Sequence, residues 1–83
     1  MFKILIAEDE EPIANLIRMN LTRAGYKCTW APDGNIAADY MMAEDFDLVL
    51  LDIMLPGIDG YDLMEYAGRL GLPVTLLRMN PMQ

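Results

Sequence analysis

Three acidic residues stand where two apolar runs of the sequence stop. Glu8 and Asp9 follow the apolar run 4–7, and Asp52 follows the run 48–51. Continuous apolar runs of this length are typical of strands that are buried on both faces of a parallel sheet. Ligands of open parallel sheets bind beyond the carboxyl ends of the strands. If the two strands are neighbours, the sequence therefore predicts an acidic pocket at one edge of the sheet.

An acidic pocket of this kind suits a hard divalent cation. Carboxylates that converge repel one another, so such a pocket persists only where some of them are protonated or a cation neutralises them. Mg²⁺ takes few protein oxygens, retains water and leaves coordination positions open for a phosphate group. Two or three carboxylates and a backbone carbonyl would make an open site with this property.

Other interpretations of the same residues stay open at this point. The acidic run 8–11 is also typical of a solvated loop that precedes a helix. Asp52 stands shortly before a Pro-Gly pair and could serve as a turn former. Two acidic clusters at the ends of two apolar strands support the functional interpretation, because acids buried at such a place are expected to serve a function.

The composition excludes several classes of function. A chain of 83 residues holds one domain, and its net charge of −7 has the wrong sign for binding a nucleic-acid backbone. Histidine and serine are both absent, which excludes histidine metal sites and serine hydrolases. The single cysteine, Cys28, cannot form an internal disulfide and receives no role, and it indicates a reducing compartment. The N-terminal apolar run is too short for a signal peptide or a membrane span, so we expect a cytoplasmic location and no membrane partner.

Segments with helical spacing separate the apolar runs. The first helix is predicted from an apolar stripe that ends before Gly25, and two more are predicted over 35–43 and 60–70. A second strand over 26–30 alternates in polarity like an edge strand, and a fourth is predicted over 74–77. Strands that alternate with helices favour an α/β fold with a parallel sheet. The stripe of the first helix comprises Ile13, Leu16, Ile17, Leu21 and Ala24.

Several segments resemble the receiver domain of two-component response regulators. The most specific match is DLVLLDIMLPGIDG at 47–60, which is similar to the phosphorylation segment of that family. ILIAEDE at 4–10 resembles its first strand with the acidic pair, and the dipeptides Gly25-Tyr26 and Asp33-Gly34 also match. The resemblance implies a flavodoxin-like, doubly wound parallel sheet that is incomplete here, with four strands in the order 2-1-3-4 and three helices.

The resemblance also implies the roles of individual residues. Asp52 would be the phosphoacceptor of a phosphorelay, and the donor would be a phosphohistidine on a partner histidine kinase. Mg²⁺ would be held by Glu8, Asp9, Asp52 and the backbone carbonyl of Met54. Such a chain would be a signalling module and not an enzyme. The segment 16–21 further resembles regulators that carry a winged-helix DNA-binding domain.

The C-terminal residues depart from the family pattern. The positions that correspond to its switch hydroxyl and the following alanine are Arg78 and Met79, and its later lysine has no counterpart. We therefore expect a truncated receiver domain over 1–77, a tail outside the family pattern over 78–83, and impaired phosphoryl transfer. The fourth strand would then leave an apolar edge, which predicts a homodimer or larger assembly through edge pairing or element exchange.

Two other functions remain as alternatives. The chain could act only as a self-associating interaction or scaffold piece that retains the acidic pocket as a passive cation site. A small phosphohydrolase of similar fold would need a further acid and phosphate-binding basic residues, and Arg78 is the one basic residue available there.

Overall fold

Four parallel strands alternate with three helices in the computed structural model, which describes residues 1–77. The predicted tail 78–83, with Arg78 and Met79, lies outside the described residues. The strands form one sheet in the order β2-β1-β3-β4, so the expected fold class and strand order are confirmed. In chain order the elements are β1 (Lys3–Ala7), α1 (Glu11–Arg23), β2 (Lys27–Ala31), α2 (Gly34–Ala43), β3 (Leu48–Leu51), α3 (Gly60–Arg69) and β4 (Val74–Leu76).

The register of the central strands places the acidic residues side by side. Ala7, the last residue of β1, pairs with Leu51 at the end of β3. The amide of Asp52 donates to the carbonyl of Ala7 at 2.9 Å. Glu8 and Asp52 therefore leave the sheet as neighbours at its carboxyl edge.

The sheet separates two apolar clusters of unequal size. All of β1 from Ile4 to Ala7 is buried, as the continuous apolar run predicts for a strand covered on both faces. On one face, α2 and α3 pack over the larger cluster, which includes Leu5, Val49, Leu51, Leu63 and Ala67. The other face carries Ile4, Ile6 and Ala14 of α1.

Helix α1 covers only part of its face of the sheet. It contacts β1 and β2, and within residues 1–77 no helix lies over β3 and β4 on this side. Leu48 and Leu50 of β3 are consequently half-buried, although the sequence pattern predicted a strand covered on both faces. None of the helices described here is long and apolar enough to cross a bilayer.

The inward face of α1 differs from the predicted stripe. Ala14, Ile17 and Leu21 face the sheet, whereas Leu16 is 59% exposed. Ala14 is the buried residue of α1 and lies in one cluster with Ile4 and Ile6 of β1. Beyond the helix, Gly25 adopts a φ of +99°, the left-handed conformation that its position predicted.

The loop between β3 and α3 packs tightly against neighbouring backbone. The amide of Gly34, at the start of α2, donates to the carbonyl of Pro56 at 2.9 Å. A Cβ on Gly60 would lie 2.4 Å from the backbone oxygen of Ile53, so only glycine fits there. Asp59 accepts a hydrogen bond from the amide of Tyr61 at 2.8 Å and so caps α3. These contacts constrain the backbone conformation of the segment that follows Asp52.

Candidate functional site

Glu8 and Asp52 are buried acids at the ends of two paired strands. Each is only 1% exposed. Placing a carboxylate in the interior costs free energy unless hydrogen bonds or opposite charge compensate. Oε2 of Glu8 accepts from the amide of Glu10 at 3.0 Å, and Oδ1 of Asp52 accepts from the amide of Met54 at 2.9 Å. Both carboxylates are therefore oriented by backbone amides of the loops that follow them.

A second feature of the site is a group of converging acids. Within residues 1–77, one carboxylate oxygen from each of Glu8, Asp9 and Glu10 lies within 4.8 Å of the others. Glu8 is buried, while Asp9 and Glu10 are exposed. A set made only of carboxylate oxygens, partly open to water, fits the preferences of Mg²⁺. The structure thus brings the predicted ligands Glu8 and Asp9 together and adds Glu10.

Asp52 and Met54 lie beside this group and not within it. Asp52 is outside the set of acids that share the 4.8 Å spacing. Its neighbour Met54 contributes its amide to the Asp52 carboxylate, and its side chain is 76% exposed. The predicted ligand roles of Asp52 and of the Met54 carbonyl stay predictions.

Two residues at the site were not predicted from the sequence. Glu10 directly follows the acidic pair, so its position was a signal that could have been used. Trp30 on β2 donates its indole N–H to the carbonyl of Glu8 at 2.7 Å. The sequence placed Trp30 on a strand face only, because the hydrogen bond depends on the register between β1 and β2.

Cys28 lies on β2 and is half-buried. Burial raises the pKa of its thiol, although a hydrogen bond with Thr22 and the charge of Arg18 act in the opposite direction. A raised pKa lowers the thiolate fraction at neutral pH, which disfavours nucleophilic chemistry. The structure therefore gives no reason to revise the absence of a role for this cysteine.

A comparison with protein families identifies the class to which this fold and acidic edge belong. The family model described as the response regulator receiver domain matches residues 4–79. The chain belongs to this family of receiver domains.

Solved receiver structures are closely similar to this chain. The receiver domain of a Francisella response regulator is 27% identical with a TM-score of 0.85, and the match covers 96% of this chain and 70% of that one. The response regulator TrrA from Thermotoga maritima, in complex with Mg²⁺-BeF, is 30% identical with a TM-score of 0.81, covering 92% of this chain and 66% of that one. A complex of histidine kinase ThkA with TrrA matches at 28% identity and a TM-score of 0.83, covering 100% of this chain and 76% of that one. The chain thus spans 66% to 76% of the length of these proteins.

Proposed function

We propose that this chain is the phosphoacceptor module of a cytoplasmic two-component phosphorelay, and that Asp52 receives a phosphoryl group from a histidine kinase. The observation that carries the proposal is the pairing of Ala7 with Leu51, which sets Glu8 and Asp52 side by side at the carboxyl edge of the sheet. Support comes from TrrA, whose structures include a complex with a histidine kinase and one with Mg²⁺-BeF. In this proposal residues 1–77 carry the receiver function, and 78–83 form a tail outside it.

The chemistry is a transfer between two nucleophiles. A carboxylate oxygen of Asp52 attacks phosphorus, an O–P bond forms and the P–N bond of the phosphohistidine breaks, which releases imidazole and leaves an acyl phosphate. The chain is the acceptor in this reaction and not a classical enzyme. The amide of Met54 holds one oxygen of Asp52, which reduces the orientations that the nucleophile must sample.

The acids at this edge of the sheet could also bind a cation. In this proposal Mg²⁺ would be held by Glu8, Asp9, Asp52 and the carbonyl of Met54. Glu10 would lie nearby and add negative charge. Bound there, Mg²⁺ would offset the repulsion between the carboxylate nucleophile and the phosphoryl oxygens. Burial of Glu8 strengthens its attraction for a cation, because charges interact more strongly away from water.

Intact-mass measurement tests the proposal. The chain is incubated with Mg²⁺ and acetyl phosphate, and we expect the mass to increase by one phosphoryl group. The increase should be absent in Asp52→Asn and in the presence of EDTA, and retained in Asp39→Asn, which changes an exposed acid on α2. No increase in the unaltered chain, or an equal increase in Asp52→Asn, would contradict the proposal.

A second candidate function is self-association. Within residues 1–77 the outer edge of β4 has no partner strand, and the α1 side of β3 and β4 has no covering helix. Unpaired edges and exposed apolar surface favour association between chains. We propose that two copies associate through β4 or exchange elements there. A chain that assembles but takes no phosphoryl group would act as a scaffold piece.

A further inference from the structure

The backbone of Glu8 is held from the side of β2 by two hydrogen bonds. Its amide donates to the carbonyl of Ala31 at 3.1 Å, which extends the ladder between β1 and β2 by one residue. Its carbonyl accepts from Nε1 of Trp30 at 2.7 Å. In a regular parallel ladder this carbonyl would accept from a backbone amide of the next strand. Strand β2 ends at Ala31, however, and the indole N–H of Trp30 donates to this carbonyl in place of a backbone amide.

The indole is itself anchored by the sheet. Trp30 pairs with Ile6 in the register of β1 and β2. Its side chain is half-buried and packs against the cluster formed by Ile4, Ile6 and Ala14. A tryptophan ring packed in this way has few accessible rotamers, so the position of its N–H is fixed by the core beneath α1.

The hydrogen bond to the carbonyl of Glu8 also constrains the orientation of the peptide group between Glu8 and Asp9. The carbonyl belongs to the planar peptide group that joins these two residues. With its oxygen held by Trp30, that plane cannot rotate without the loss of a hydrogen bond. The amide of Glu10, one residue after Asp9, donates to the Glu8 carboxylate at 3.0 Å. The contacts of Glu8 thus restrict the loop that carries all three converging acids.

We propose that Trp30 is a positioning residue of the acidic site. Its indole N–H orients the Glu8–Asp9 peptide so that the carboxylates are arranged for a divalent cation before the cation binds. Trp30 acts through Glu8 and does not contact the cation. The inference rests on the proposed function, since it concerns the same cation site.

The substitution Trp30→Phe tests this role, because it keeps an aromatic ring and removes the N–H. We expect the dissociation constant for Mg²⁺, measured by calorimetry on folded protein, to rise about three- to tenfold, as one hydrogen bond of ordinary strength would give. Tyr26→Phe is the matched control, since it removes a polar tip just before the start of β2, and should leave Mg²⁺ affinity unchanged. A role limited to packing would lower the melting temperature without changing the affinity, and that result would overturn the proposal.

A measurement on the unaltered chain tests the same point without a variant. Trp30 is the single tryptophan of the sequence, so its indole N–H gives one cross-peak in a ¹⁵N correlation spectrum. We expect this cross-peak to shift on addition of Mg²⁺ with the midpoint found by calorimetry, and the midpoint to move to an at least about tenfold higher Mg²⁺ concentration in Asp9→Asn. A cross-peak that stays in place at saturating Mg²⁺ would overturn the positioning role alone. Absence of any Mg²⁺ binding would overturn both this inference and the proposed function.

Discussion

The carboxylate and both backbone groups of Glu8 are hydrogen-bonded, to Glu10, Ala31 and Trp30. Asp9, the next residue, is exposed, and its amide belongs to the peptide group whose carbonyl accepts from Trp30. The site therefore combines a rigid buried acid with an accessible one.

Substitutions of the two exposed acids, Asp9 and Glu10, distinguish a cation ligand from a residue that only adds negative charge nearby. Because Asp9 is the ligand in the proposed set, we expect Asp9→Asn to weaken Mg²⁺ binding by about tenfold or more. Glu10→Gln removes a charge that water screens, and should weaken binding by less than about threefold. Calorimetric titration of each variant measures both effects. The reverse order would mean that Glu10, and not Asp9, is the stronger ligand.

At this scale the sequence predicted the acids but not their contacts. Residue type and position after an apolar run were enough to find Glu8, Asp9 and Asp52. The bond from Trp30 could not be found in this way, because a side-chain donor and a backbone acceptor 22 residues apart meet only through the strand register.

Among the elements, the loop between β3 and α3 is constrained by backbone contacts near both of its ends. It begins at Asp52, and its other end is set by the close contact between Gly60 and Ile53. Near its start, the amide of Met54 donates to the carboxylate of Asp52 at 2.9 Å. This loop of eight residues, 52–59, connects β3 to the start of α3.

Two glycines of the same helix allow a matched test of this constraint. Gly60→Ala would place a methyl group against the backbone of Ile53, and we expect the free energy of unfolding to fall by about 1 to 3 kcal/mol. Gly68→Ala meets no atom within 4 Å and should raise it by about 0.5 to 1 kcal/mol, because alanine favours the helix. Urea denaturation measures both. Equal effects of the two substitutions would contradict the close packing of Gly60.

Helix α1 shows the limit of periodicity as a guide to packing. Its existence and its end near Gly25 follow from the sequence. Ile17 and Leu21 of the predicted stripe pack against the sheet, but Leu16 and Ala24 are exposed. Ala14, which the stripe omitted, is buried with Ile4 and Ile6, because the packed face of a helix depends on its tertiary contacts as well as on its apolar residues.

At the level of the whole molecule, the two faces of the sheet differ in how much of each is covered by helices. The alternation of strands and helices predicted a parallel α/β sheet, and the resemblance to receiver domains supplied the strand order that the structure confirms. Among residues 1–77, one face carries α2 and α3, whereas the other carries α1 over β1 and β2 alone. Leu48 and Leu50 are half-buried there, and Thr75 of β4, which pairs with Leu50, is exposed.

Self-association through this face is expected to depend on its polarity. We predict that light scattering coupled to size exclusion shows a dimer or larger species at micromolar concentration. Thr75→Lys would bring a charge to the uncovered strands and should shift the equilibrium toward monomer. Met42→Lys, on the exposed side of α2, is the control and should leave it unchanged. A compact monomer that melts cooperatively across the same concentrations would contradict the assembly.

Asp52 is proposed to accept a phosphoryl group at an edge where Glu8 and Asp9 hold the cation. A crystal structure of the chain with Mg²⁺ and beryllium fluoride would show both parts of this site together. We expect a bond between beryllium and an oxygen of Asp52, and the Mg²⁺ ion between that group, Glu8, Asp9 and the carbonyl of Met54. An ion seated among Glu8, Asp9 and Glu10 alone, with Asp52 unmodified, would contradict it.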